Sequence, residues 1–315
     1  MSKIPPPIHA TVSRIDAYHQ ARQDPPRAHF GASQLGDEDQ QGQWLRFRWA
    51  FEEAHSGRLL RLFRRGHMEE HTVVSDLRAI GCDLAHVLDD QLVIDYGAHI
   101  KGSPDGIILS GLPEAPSKPH MLEIKTASRK RFEEMRQQGV ERSNPTYWVQ
   151  AHTYMYGLNN HAGIRLDRCM FIAVCKDDDS IYTERIEYDA SVAERYLARG
   201  RQVTMSRRMP EPTYLDPAFY RARWSPFYAA YFPRSATSHH MGRLRVQREG
   251  EGLWARVGIN CRTCEYIEPL ESGEWRCNLY ASEVPLEFQR QGCDRHEMHG
   301  DIVRLIEQGN NEGRR

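Results

Sequence analysis

The chain has 315 residues, with 42 Lys and Arg against 43 Asp and Glu, 40% hydrophobic and 27% charged, and a mean hydropathy of −0.68. At roughly 150 residues per domain this predicts about two units with a sizeable core; the balance excludes a disordered chain, and no apolar run approaches the ~20 residues of a membrane span. The formal net charge of −1 excludes a uniformly basic coat but not a local basic channel.

Met1 to Ala10 carries three consecutive prolines and no apolar h-region, so it does not read as a secretory signal, and a cytoplasmic location is expected. The first 30 residues are Pro-rich and polar, an arm expected to pack loosely. Gln43 to Arg65 predicts a helix, and Gly66 to Ile80 a clearer one, in which Val73, Val74, Leu77 and Ile80 form an apolar stripe stopped by Gly81. Leu92 to Tyr96, Gly106 to Leu109 and Met121 to Ile124 predict strands, then Ala127 to Gln138 and Thr146 to Asn159 helices. Arg168 to Cys175 and Ile181 to Tyr188 predict strands, and Ala190 to Arg207 a helix. This order predicts an α/β (α+β) fold, a central mixed β-sheet flanked by helices. The expected division is an N-terminal arm 1–30, a core 31–209, a connecting segment 210–256, a four-cysteine module 257–299 and a tail 300–315.

The chemistry concentrates at Gly102-Ser103-Pro104-Asp105-Gly106 and, eighteen residues after Asp105, at Glu123-Ile124-Lys125. Strand side chains alternate, so Glu123 and Lys125 share a face and Leu122 and Ile124 take the other. Asp105 opens the neighbouring strand at a Gly-flanked turn. Two carboxylates and a lysine then converge at one sheet edge, a donor set for a hard cation such as Mg²⁺. A lysine there can orient the attacking water while the metal stabilises charge on a phosphate. The competing reading is a surface salt bridge in a hairpin. Glu70 falls on the apolar stripe of the upstream helix, where an acid is costly unless paired or metal-bound, whereas Glu69 is rotated away. Gln150 and Tyr154, four apart, share a helix face. Arg61, Arg64 and Arg65 precede the Glu70 helix, and Arg129, Lys130 and Arg131 follow Lys125; such charges engage phosphates without reading sequence.

Seven cysteines, an odd number in a long chain, argue against a disulfide scaffold. Cys261-Arg-Thr-Cys264 is a knuckle, Cys277 follows after twelve residues and Cys293 after fifteen more. Four thiolates at this spacing can close a tetrahedron around Zn²⁺, sheltered by Trp275 and Tyr266. An iron–sulphur cluster, or a Cys₃His set drawing on His296 or His299, are the alternatives. Cys82, Cys169 and Cys175 read as plain core residues.

Gly66-x-x-x-Glu70, Pro104-Asp105, Glu123-x-Lys125 and Gln150-x-x-x-Tyr154, in this order, resemble the PD-(D/E)xK nuclease superfamily, in the branch of phage lambda-type exonucleases and RecB-like nuclease domains. The resemblance covers about residues 30–205 and implies a restriction-endonuclease-like core. It implies Mg²⁺ (or Mn²⁺) held by Glu70, Asp105, Glu123 and the Ile124 carbonyl, with Lys125 activating water and Gln150 and Tyr154 supporting the site. His67 and His71 fit the motif spacing less well. Iron–sulphur members of the group carry an early cysteine, and Gly36 to Gln43 has none. The implied activity is a metal-dependent double-stranded DNA exonuclease acting in recombination, with DNA ends as partner, a single-strand annealing protein as a second, and oligomers in some members. An endonuclease of the same superfamily is the runner-up, and a non-catalytic zinc-containing nucleic-acid-binding protein the alternative of a different class.

Overall fold

The computed structural model describes residues 10–236, 246–249 and 252–311; the start of the arm (1–9), parts of the connecting segment and residues 312–315 lie outside them. In chain order the elements are α1 (Ala10–Gln20), β1 (Phe30–Gly31), α2 (Gln40–Phe47), α3 (Gly57–Ala79), β2 (Asp83–Ala85), β3 (Ile94–Asp95), β4 (Ile100–Gly102), β5 (Gly106–Ser110) and β6 (His120–Ala127). There follow α4 (Arg129–Ser143), α5 (Pro145–Asn160), β7 (Arg168–Cys175), β8 (Ile181–Glu187), α6 (Ala190–Met205), α7 (Tyr220–Trp224) and α8 (Tyr228–Tyr231). The remainder holds β9 (Val246–Glu249), β10 (Gly252–Ala255), β11 (Ile267–Pro269), β12 (Trp275–Cys277), β13 (Ser282–Glu283), α9 (Leu286–Gln289) and α10 (Gly300–Asn311).

The central sheet is mixed, in the order β2-β5-β6-β7-β8. β6 and β7 pair in parallel; the other pairs are antiparallel. A parallel pair needs a crossover, and α4 and α5 supply it on one face. The alternation of β6 sorts its side chains. Leu122 and Ile124 pack with Val73, Val74 and Leu77 of α3 on one side. Met121 and Ala127 join the larger core with Phe132, Val149, Tyr154 and Val203 of α4, α5 and α6. The result is a sheet flanked by helices, as the element order implies.

The expected helix over Gln43 to Arg65 is two helices. Chain 48–56 between α2 and α3 is held instead by the C-terminal part of the protein. Glu52 N–H donates to Arg256 O (2.8 Å) and Gly258 N–H to Ala50 O (2.9 Å), Asn260 Nδ2 donates to Trp49 O (3.1 Å), and Phe51 bridges Val257. α3 then starts at a Ser56 cap, whose Oγ accepts from Leu59 N–H (3.2 Å). Within the arm, α1 buries no side chain, but Asp16 pairs with Arg61 of α3.

Residues 257–299 do not stand apart as a module. Cys264, Ile267 and Trp275 belong to the same core cluster as Trp44 and Phe47, as do Ile302 and Leu305 of α10. Two buried arginines cross the junction. Arg48 Nη1 donates to Arg262 O (3.1 Å) and Arg262 Nη1 to Phe47 O (3.0 Å). Among the described residues no helix is long and apolar enough to cross a membrane.

One buried histidine makes the fold acid-sensitive. His152 of α5 is 1% exposed, and its Nδ1 accepts from Asp189 N–H (3.0 Å), which requires the neutral ring. Burial pushes its pKa down to about 4. In the unfolded chain histidine titrates near ~6.5, so between those values the unfolded state binds more protons and stability falls as pH falls. At pH 5 the loss from this group is expected to be about 1–2 kcal/mol relative to pH 7.5. In His152→Gln, whose amide oxygen can still accept from Asp189, urea unfolding should show that much less acid destabilisation. An unchanged pH slope would refute the assignment.

Candidate active site

β6 presents Glu123 and Lys125 toward α5, and the neighbouring strand presents Asp105 at its start. Asp105 Oδ2 accepts from Ile124 N–H (2.7 Å), which fixes that carboxylate against the middle of β6. Lys125 Nζ pairs with Glu123 Oε1 and stands 3.9 Å from Asp105 Oδ2. Glu123 is fully buried. Its Oε1 also accepts from Gln150 Nε2 (2.6 Å), and its Oε2 is buried without a hydrogen-bond partner among the described residues. Gln150 also meets the Tyr154 hydroxyl, whose pKa is raised by burial and then by Glu123. Tyr154 in turn lies over Gly102, where a Cβ would fall 2.5 Å from Tyr154 Cε1.

Glu70 arrives from the opposite layer, on α3. Burial is the main cause that raises its carboxyl, Asp105 is the next, and His67, Lys125 and His71 pull it down. Its Oε1 lies 3.7 Å from His67 Nδ1. The structure therefore brings Glu70, Asp105, Glu123, Lys125, Gln150 and Tyr154 to one locality. Burial pushes Glu123 up to about 8 against the pull of Lys125, and Asp105 and Glu70 add to the rise. Lys125 is held above its ordinary range, because Glu123 and Asp105 together outweigh the lowering by burial. The raised carboxyls of Glu123 and Glu70 mark a locality short of positive charge, which is what a divalent cation would supply. Among the described residues, however, no group of three or more His, Cys, Asp or Glu side chains is arranged to hold a metal ion. At the acids, the Lys125 ammonium stands between Glu123 and Asp105.

Tyr147 is the neighbour that the motif reading missed. The Lys125 ammonium lies 5.5 Å from its ring centroid, a cation–π distance. Positions 147, 150 and 154 share the helix face already read from Gln150 and Tyr154, so the same periodicity points to it.

The expected phosphate-binding residues differ in their freedom. Arg129 pairs with Asp178 (2.9 Å) and Arg131 with Glu134 (3.3 Å). Arg65 donates to Lys176 O (2.8 Å). Arg64 and Lys130 are exposed.

The four tail cysteines are neighbours, but no metal site forms among them as placed. Burial first, then Cys293, Cys264 and Cys277, push the Cys261 thiol up to about 11. Its Sγ faces two carbonyls, Gln291 O at 3.2 Å and Phe288 O at 3.4 Å. His299 Nε2 is engaged by Arg207 O (2.7 Å) and His296 Nε2 by Thr263 Oγ1 (3.2 Å).

No family model matches the chain, and no curated protein matches it in sequence. Among solved structures it is similar to a protein described as SSO0001, at 12% identity and a TM-score of 0.40, over 72% of this chain and 98% of that one. It is also similar to an alkaline exonuclease, LHK-Exo, from Laribacter hongkongensis, at 16% identity and a TM-score of 0.33, over 61% of this chain and 94% of that one. The LHK-Exo complex with dAMP gives 14% identity and a TM-score of 0.35, over 61% of this chain and 90% of that one. These are distant likenesses of fold alone.

The placement of Glu70 separates it from its neighbour. Glu70→Gln keeps the size and removes the charge next to Asp105; if the site hydrolyses phosphodiesters, the rate should fall by ~100-fold. Glu69→Gln should stay within about twofold. Initial rates on end-labelled duplex read the difference, and equal rates for the two variants would sink the role given to Glu70.

Proposed function

We propose that this chain is a metal-dependent deoxyribonuclease that hydrolyses phosphodiester bonds from the ends of double-stranded DNA. The observation that carries the reading is the buried Glu123, with one oxygen fixed by Lys125 and Gln150 and the other without a partner among the described residues. An unpartnered carboxylate oxygen in a dry site is costly unless a cation or proton meets it. Glu70, Asp105, Glu123 and the Ile124 carbonyl would hold Mg²⁺ or Mn²⁺. The bound metal would polarise the phosphate and stabilise the charge that develops on it. Lys125, held charged by its two carboxylates, donates hydrogen bonds to a water or phosphate oxygen brought against them. Gln150 fixes Glu123, and Tyr154 backs Gln150. Tyr147 limits the swing of the Lys125 ammonium.

The nuclease core of this reading is residues 31–209, with the cysteine segment 257–299 serving stability rather than hydrolysis. Its thiol donor set suits one Zn²⁺ per chain on Cys261, Cys264, Cys277 and Cys293. Elemental analysis tests this: zinc near one equivalent, lost in Cys261→Ser, supports it. Iron with sulphide, or no metal in protein purified without chelator, removes it.

The test of the main reading is incubation with end-labelled linear duplex and with covalently closed circles, with and without Mg²⁺ or Mn²⁺. Metal-dependent loss of the linear DNA alone is expected. Cutting of circles makes the enzyme an endonuclease, and retention of DNA without cutting defeats the nuclease reading.

A further inference from the structure

The basic residues near the site are not equivalent. Those at the start of α4 are largely spent on Asp178 and Glu134. The first two and a half turns of α3 carry Arg58, Arg61, Arg64 and Arg65 with no acidic residue between them. With Leu62 and Met68 these four arginines line an open cavity of about 400 Å³. Arg61 pairs with Asp16 of α1 and Arg65 donates to Lys176 O. Arg58 and Arg64 are exposed and make no ion pair among the described residues. Such a cluster on a chain with a formal net charge of −1 is a local field, not a share of a general excess.

The helix that carries the cavity also carries Glu70. At 1.5 Å per residue, Arg64 lies about 9 Å and Arg58 about 18 Å along the axis from Glu70. At 100° per residue the arginines occupy the face opposite Val73, Val74 and Leu77, and His67 and His71 lie in the sector between that face and Glu70. The span from Arg58 to Arg65, about 10 Å along the axis, is enough to reach two successive phosphates of one strand.

We propose that this arginine-lined face of α3 binds the phosphodiester backbone of DNA several nucleotides away from the acidic locality. The surface contributes affinity without sequence preference, because guanidinium groups on phosphates read no base. The proposal rests on the nuclease reading for its distance from Glu70, which lies on the opposite face of the same helix, but is measured without hydrolysis.

The test is fluorescence anisotropy with a 5′-fluorescein-labelled DNA 20-mer, single-stranded and duplex, in EDTA over a range of salt. Arg58→Gln/Arg64→Gln is expected to weaken binding about tenfold at ~50 mM salt and to flatten the slope of log K on log salt by nearly two units. Arg58→Lys/Arg64→Lys should retain most of the affinity. The control Arg165→Gln/Arg195→Gln has the same charge change at two other exposed arginines and should leave binding within about twofold. Circular dichroism verifies the fold of each variant. A wild-type protein that does not bind the 20-mer overturns the proposal. So does a Gln pair that binds like wild type, or a Lys pair that loses as much as the Gln pair. Arginine-dependent binding in a protein that cuts nothing in Mg²⁺ or Mn²⁺ would defeat the nuclease reading and leave this surface standing. Cutting with unaltered binding in the Gln pair would defeat the surface alone.

Discussion

Lys125→Met is expected to reduce DNA hydrolysis by ~1000-fold or more while leaving the fold intact. The ammonium touches Glu123 and faces Asp105 at 3.9 Å, so its loss removes the charge that both carboxylates share. Methionine keeps most of the stem volume, and the Tyr147 ring retains a neighbour. The same change should not weaken divalent-cation binding, because a positive charge beside the acids has gone. Asp105→Asn should behave differently. The amide oxygen can still accept from Ile124 N–H, so the local fold survives, but a negative donor is lost and calorimetric Mn²⁺ binding should weaken at least tenfold. Activity near wild type in Lys125→Met, with the circular dichroism spectrum unchanged, would show that the reaction lies elsewhere.

This site was legible because its parts obey local rules. Period two along β6 is enough to place Glu123 with Lys125 and to send Leu122 and Ile124 to α3. Period 3.6 puts Glu70 on the stripe of Val73, Val74 and Leu77, and Gln150 with Tyr154. The same rule extended by one step reaches Tyr147. The layer from which Glu70 approaches was not legible, because it depends on how α3 packs across the sheet. Nor was the break between α2 and α3. Nothing local ends a helix at Phe47; Trp49 there adopts a positive φ of 53°, and residues 256–260 supply the partners that hold chain 49–52. Strand β4 is three residues long and exists through its pairing with β1 and β3. The cysteine spacing was plain in the sequence, but its union with the core was not, since pattern reading assigns arginine to the surface.

Arg262 contradicts that assignment, and its removal should have the largest effect on stability. It sits inside the Cys261–Cys264 knuckle and is 1% exposed. Its guanidinium donates to Phe47 O (3.0 Å), to Ala28 O (2.8 Å) and twice to Gln289 Oε1 (2.9 and 2.8 Å). It lies 3.8 Å from the Trp49 ring centroid and 4.7 Å from that of Trp275. Burial lowers its pKa to about 9, so it stays charged at neutral pH. No carboxylate is among these partners; carbonyl oxygens and aromatic faces take the place of water. Arg262→Met relieves the buried charge but leaves the oxygens of Phe47, Ala28 and Gln289 without their donor. Unsatisfied buried groups of this number cost about 3 kcal/mol or more in total. For a chain of this size that corresponds to a fall in melting temperature of roughly 5 °C or more. The form of the transition matters as much as its position. Because these bonds join residues 28, 47, 262 and 289, the core and the cysteine segment should melt together at the lower temperature. A separate early transition with the main one unmoved would mean that the segment folds by itself and that the buried arginine only docks it.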